Sequence, residues 1–345
     1  MFGFSKKYYL AIISRALYGF LNGNLGVAKT YIREITDKTN QARAFSFIGV
    51  AYSVGVIFGP IIGGFFSRPS LKVPILFNYW FFITFPYALP NIIIACFSAI
   101  GAIFGIFFLK ETNKKTQSLK FYKFSFKSIY NFFKSSPILK KKEPLMSCVI
   151  YSILGLADTM FLEVFPIWLW TPVANKGLGF EPYQIGILNM SLGFFIFASQ
   201  IFFTPWINKK MGIKYAFLVT TIISIPPNFL FADLYRVRTS WELWILLSFV
   251  YFWRTVFIEA SFTSSIMMIN NSVEPSSLGS LNGIAQAGVA FTRTFAPTLG
   301  ASLFALSISV DFIFDVHFCF FFVGCLQILL IPLAFCLKNE INTPK

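Results

Sequence analysis

Six charged side chains fall inside long apolar stretches of the chain: Arg15, Asp158, Glu163, Arg254, Glu259 and Arg293. Placing a charge in hydrocarbon costs about 2.5 kcal/mol or more on insertion scales, so such a residue faces a cavity or a partner rather than lipid. A carboxylate in low dielectric holds a proton more readily than one in water and can load and release it near neutral pH. Asp158 lies deep in its stretch, whereas Glu163 is nearer the end, with Pro166 and Trp168 after it. Arg254 and Glu259 share a stretch, and a spacing of five puts them about 140° apart around a helix, so each is expected to find its partner elsewhere. Arg293 is a candidate partner for Asp158 or Glu259. Every one of these pairs has a second reading, a static ion pair that fixes helix packing. Arg15, near one end of its stretch, also reads as a snorkelling interface anchor. The polar residues Asn22, Asn189, Gln200 and Gln286 could bind a polar solute or bridge helices.

The elements that must carry these residues are helices. The chain has 345 residues, 56% hydrophobic and only 12% charged, too little charge to cover a soluble domain of this size. The apolar runs are unbroken, where barrel strands would alternate. Nine spans are expected, near 8–29, 43–66, 88–109, 145–170, 183–206, 214–232, 243–269, 281–305 and 313–337. The fold class is an all-α, multi-pass integral membrane protein in the lipid bilayer. A net charge of +15 would suggest nucleic acid in a soluble chain, but the basic residues here lie between apolar spans, where topology determinants belong. No nucleic-acid partner is expected. His317 is the single histidine, and the five cysteines lie in or beside apolar spans without a paired spacing. A histidine-based metal site is thus set aside, and no metal or cofactor is expected. No HExxH or GxSxG signature appears, so the chain does not read as an enzyme. Oligomeric state is not legible.

Four segments follow: three helices over 1–110, a basic loop over 111–143, six helices over 144–338 and a short tail over 339–345. The lysine-rich loop is expected on the cytoplasmic side by the positive-inside rule, with the tail beside it. Counting spans from there leaves the N-terminus facing away from the cytoplasm. An internal repeat accompanies that count. Laid over each other, Gly59-Pro60 falls on Ala296-Pro297, Gly63-Gly64 on Gly300-Ala301, and Arg15 on Arg254. Spans one to three thus repeat spans seven to nine, as in transporters built from parallel halves. Spans four to six have no counterpart, so three helices are expected to be missing before Met1.

The sharpest local pattern is Gly55-x-x-x-Gly59-Pro60-x-x-Gly63-Gly64. Glycines four apart let a neighbouring helix approach closely, and proline bends the helix. Such a helix suits a hinge, a seal between halves or plain packing. The run resembles the antiporter motif of the major facilitator superfamily. Arg15-Ala-Leu-Tyr-Gly19 is similar to the RxxxG motif of its proton-coupled drug antiporters, with Tyr18 where glutamine is usual. The segments 15–31, 41–69, 179–212 and 269–304 look closest to the tetracycline-resistance-like and zinc-induced-facilitator-like branch. The resemblance covers helices four to twelve of a twelve-helix bundle. It implies proton-coupled antiport of a small organic solute or drug by alternating access, in a plasma or vacuolar-type membrane, with Arg15 in proton coupling. Protons and a small-molecule substrate are the implied partners. Lys209-Lys210-Met211-Gly212-Ile213-Lys214 resembles a basic helix-linking loop that pairs with helix-end carboxylates at the inward gate, and equally fits plain topology. The other functional class is a non-transporting protein of the same fold: a sensor, accessory subunit or truncated remnant.

Overall fold

In hydrocarbon the backbone has only itself to hydrogen-bond, which makes long apolar runs helical. The structure, a computed structural model, describes residues 1–112, 141–237, 239–309 and 317–343, and those residues contain no strand. The main helices are α1 (Tyr8–Leu21), α2 (Asn24–Glu34), α3 (Gln41–Phe65), α4 (Ala88–Phe108), α5 (Lys142–Trp170) and α6 (Pro182–Ala198). They continue with α7 (Thr204–Met211), α8 (Ile213–Ser224), α9 (Pro226–Phe231), α10 (Ser240–Asn271), α11 (Leu278–Ser309) and α12 (His317–Phe335). Among the described residues, eight stretches are long and apolar enough to cross a bilayer, the α6–α7 and α8–α9 pairs each counting as one.

The all-α expectation holds, with one correction to the nine spans. The first, 8–29, is two helices. Asn22 takes a non-helical φ of −92° and ψ of 73°, and Gly23 follows it. Asparagine competes with the ladder through its own side chain, and a glycine costs about 1 kcal/mol in a helix interior. The 14-residue α1 is too short to cross alone, since crossing takes about 20 residues. The second helix, α2, runs past the expected end to Glu34. Most of the basic segment, 113–140, lies outside the described residues.

The chain groups into two compact units, Met1–Leu25 with Gly55–Phe121, and Gly26–Val54 with Tyr122–Lys345. In the first, Phe4 packs edge-on against Phe81 and Phe85, with ring centroids 6.0 and 5.5 Å apart. Prolines start the short helices Pro69–Lys72 and Pro74–Phe77, where a missing N–H does no harm. Lys72 Nζ donates to the Gly64 carbonyl at the end of α3. Among the described residues no helix approaches the glycine motif closely: a Cβ at Gly55, Gly59, Gly63 or Gly64 would meet nothing within 4 Å.

In the second unit, α5 and α11 make the most extensive pairing, and small residues permit it. A Cβ on Gly155 of α5 would lie 2.2 Å from Val289 Cγ2, one on Gly288 of α11 2.8 Å from Ser152 Oγ, and one on Gly300 3.1 Å from Val164 Cγ2. Pro297 lies within α11, which continues helical through it. Beside this seam Phe161, Phe165, Trp168, Phe231, Tyr251 and Phe320 form an aromatic core. A π turn, Ser199–Phe203, joins α6 to α7. Pro205 follows it and offers no N–H to the preceding turn, which is a local cause for the changed register.

Candidate functional site: a buried charge cluster

The second unit gathers most of the charged and polar residues singled out in the sequence. Asp158 comes from α5, Arg254 and Glu259 from α10, Gln286 and Arg293 from α11. The 32 residues of α10 span about 48 Å at 1.5 Å per residue, so Arg254 and Glu259 fall near its middle.

The tightest contact joins Arg254 and Asp158. Arg254 is 1% exposed, and its Nη2 donates to Asp158 Oδ1 at 3.0 Å. Its Nε donates to Asn228 Oδ1 at 3.0 Å, and Asn228 Nδ2 donates to Gln327 Oε1 at 2.8 Å. The guanidinium carbon stands 3.5 Å from the centroid of the Phe161 ring. Four helices, α5, α10, α9 and α12, are therefore tied by one polar chain inside the aromatic core. Of the two partners considered for Arg293, Asp158 or Glu259, the first is held by Arg254. Arg293 makes no ion pair among the described residues; its guanidinium lies 5.8 Å from the Phe262 ring centroid, with Gly155 beside its Nε.

Glu259 is half-buried and has no hydrogen bond or ion pair among the described residues. Asp158, Arg254 and Arg293 act on it electrostatically. Tyr52 of α3 faces the same group of charges, within the fields of Glu259, Asp158, Arg293 and Tyr251. Tyr151 of α5 feels both Arg293 and Glu259.

One member of the cluster escaped sequence reasoning. Lys29 of α2 is 2% exposed. Its Nζ donates to Tyr151 Oη at 3.0 Å and to Gln286 Oε1 at 3.1 Å, while Tyr151 Oη donates to the same Gln286 oxygen at 3.2 Å. The ammonium also stands 4.6 Å from the Tyr151 ring centroid. No carboxylate reaches it among the described residues. It stands at the last position of an expected span, in the helix that follows the break at Asn22.

The other expected residues are placed as follows. Gln286 belongs to the cluster. Gln200, fully buried, accepts from Thr263 Oγ1 at 3.0 Å, and Asn189 accepts from Tyr251 Oη at 3.1 Å; both bridge helices. Asn22 sits at the α1–α2 break and Glu163 is exposed on α5. Arg15 is exposed in the first unit with its guanidinium 4.4 Å from the Phe2 ring centroid. The basic segment 209–214 makes no ion pair with a carboxylate among the described residues. Lys214 is buried and donates to the carbonyls of Phe335 and Leu337, at 3.3 and 2.5 Å, where it caps α12. Lys210 lies 5.0 Å from the Trp206 ring centroid. Near them the tail is packed rather than free, with Ile341 buried and its carbonyl accepting from Asn271 at 3.0 Å.

Ionisable groups in mid-span of a multi-pass helical bundle mark a functional site of the kind that membrane transporters carry. Residues 1–258 match the family described as Major Facilitator Superfamily, and the chain belongs to that superfamily. It is 29% identical over 357 residues to the Protein ZINC INDUCED FACILITATOR 1 of Arabidopsis thaliana, covering 97% of this chain and 73% of that one. It is 26% identical over 220 residues to the Tetracycline resistance protein, class B, of Escherichia coli, covering 64% of this chain and 48% of that one. Its fold is similar to the crystal structure of the human organic anion transporter MFSD10 (TETRAN), with a TM-score of 0.67 and 16% identity over 96% of this chain and 72% of that one.

Proposed function

We propose that this chain moves a small organic solute or drug out of the cytoplasm, across a plasma or vacuolar-type membrane, in exchange for protons. The mechanism is alternating access, two halves rocking around a mid-membrane site. One observation carries the reading: Glu259, in mid-helix, has no partner among the described residues, while its neighbour Asp158 is engaged by Arg254. A free carboxylate can pass a proton from one side to the other; one held by a buried arginine is committed to structure. The groups facing Glu259 are Asp158 from α5, Arg254 from its own helix and Arg293 from α11, with Tyr52 of α3 and Tyr151 of α5 in the same field. With no partner to hold it among the described residues, this carboxylate is open to a proton or to a solute. Exchange follows when solute and proton compete for it.

The test uses proteoliposomes of the full chain and a panel of labelled solutes, tetracycline first because a relative is named for resistance to it. Accumulation should require an acidic interior and collapse with a protonophore. The variant Glu259→Gln should lose that accumulation by tenfold or more, yet keep one-for-one exchange of labelled for unlabelled solute, which needs no proton. Accumulation that ignores the pH difference, or survives in Glu259→Gln, refutes the proton-coupled reading.

A further inference from the structure

We infer that Lys29, Tyr151, Gln286 and Arg293 form an anion-binding subsite, and that the transported solute carries a carboxylate or another anionic head. The inference deepens the transport reading above and rests on it for the word "transported", though binding at the subsite does not.

The cluster contains three cations, Lys29, Arg254 and Arg293, and two carboxylates, Asp158 and Glu259. Asp158 and Arg254 satisfy each other at 3.0 Å. Lys29 and Arg293 have no carboxylate partner among the described residues, and the charge of Arg293 acts on Lys29. A basic group left unmatched in a low-dielectric interior, as Lys29 is, is costly, and natural interiors match it with a partner or a ligand. Lys29 is held by two neutral groups, either of which an anionic oxygen could replace as its partner. Arg293 is exposed within the second unit, although it lies in mid-helix, and its planar fork suits bidentate recognition of a carboxylate, sulfonate or phosphate. Between the two cations runs an aromatic shelf. Tyr151 and Phe262 meet edge to face, with centroids 6.1 Å apart, and Arg293 lies over Phe262. A flat apolar body can rest on those rings with its anionic head turned toward the cations.

Exchange for protons adds one requirement. A pure anion would favour the protonated form of Glu259 and travel with the proton. To displace it, the solute presents an amino or other cationic group to Glu259 as its anionic head meets Lys29 and Arg293. The favoured class is therefore amphoteric: an anionic head and a cationic group on a compact, partly aromatic frame.

Three matched probes test this on the purified full chain at constant ionic strength: benzoate, benzylamine and aminomethylbenzoate. The readout is saturable quenching of tryptophan fluorescence, checked by the shift in thermal unfolding. Aminomethylbenzoate should bind tightest, benzoate next and benzylamine weakest. Arg293→Gln and Lys29→Met should each weaken the two carboxylate probes by tenfold or more and leave benzylamine within twofold. Arg293→Gln leaves the buried network untouched, so it remains informative if Lys29→Met fails to fold. Benzoate binding no tighter than benzylamine, or unchanged in Arg293→Gln, overturns the subsite. Benzoate binding that is lost in Arg293→Gln, with no pH-driven accumulation of any solute, upholds the subsite and removes the transport reading. Accumulation in the absence of anion binding does the reverse.

Discussion

The Asp158 carboxylate accepts from a guanidinium that is itself sealed beneath Phe161 and Tyr251. Taking either charge away leaves the other without compensation in low dielectric, which costs about 3–5 kcal/mol in buried pairs. Asp158→Asn should therefore lower the thermal midpoint of the detergent-purified protein and reduce its membrane yield. Asp158→Asn with Arg254→Gln should recover much of both. Equal loss in the single and double variants would mean that the ion pair contributes no coupling. This separates Asp158 from Glu259, which the sequence presented as the same kind of residue, a carboxylate in an apolar run. Composition and spacing located both carboxylates, both arginines and Gln286. They could not say which cation meets which anion, because that depends on how α5, α10 and α11 rotate about their axes. Lys29 was hidden for a different reason: it stands at the last position of an expected span, and an apolar window averages over the helix break before it.

At the scale of elements, glycine patterns divide into those that make a contact and those that do not. The sequence drew attention to Gly55, Gly59, Gly63 and Gly64, yet a Cβ there meets open space. The tight approach is at Gly155, on the α5–α11 seam, and α5 offers no GxxxG spacing around it. A valine at Gly155 collides with Val289 and crowds Arg293, and overpacking of this kind costs about 1–3 kcal/mol. Gly155→Val should unfold at lower temperature than the parent, while Gly59→Ala should unfold within a degree or two of it. The same thermal scan on both variants decides the matter, and reversed behaviour would relocate the seam to α3. Helix existence was legible because apolar length alone dictates it. Helix contact was not, since it turns on single missing methyl groups facing a particular neighbour. The π turn before Pro205 shows both: the proline was legible as a local disturbance, while the close packing of Gln200 against Gly49 of α3 was not.

For the whole molecule, residues distant in sequence hold the second unit together. Gln41 of α3 donates to Asn271 of α10 at 2.7 Å, and Asn271 donates to Ile341 near the C-terminus at 3.0 Å. Asn282 of α11 donates to Thr30 of α2 at 3.2 Å and to Asn270 at 2.7 Å. Lys29 closes the set through Tyr151 and Gln286. Each such bond contributes on the order of 0.6 kcal/mol in a bilayer, because the separated helices find other partners. Together with side-chain packing around Phe45, they are enough to dock α2 and the first half of α3 onto the six-helix half without a covalent link. Two separately expressed chains, residues 1–112 and 141–345, should therefore assemble in the membrane and co-purify through a tag on either one. The combination Gln41→Ala with Lys29→Met on the shorter chain removes bonds to α5, α10 and α11 at once. It should reduce recovery of the untagged partner several-fold, with both pieces still inserted. Co-purification that is indifferent to those two changes would mean that apolar packing alone supplies the docking. Failure of the unaltered pieces to associate would mean that the intact chain is needed to bring them together.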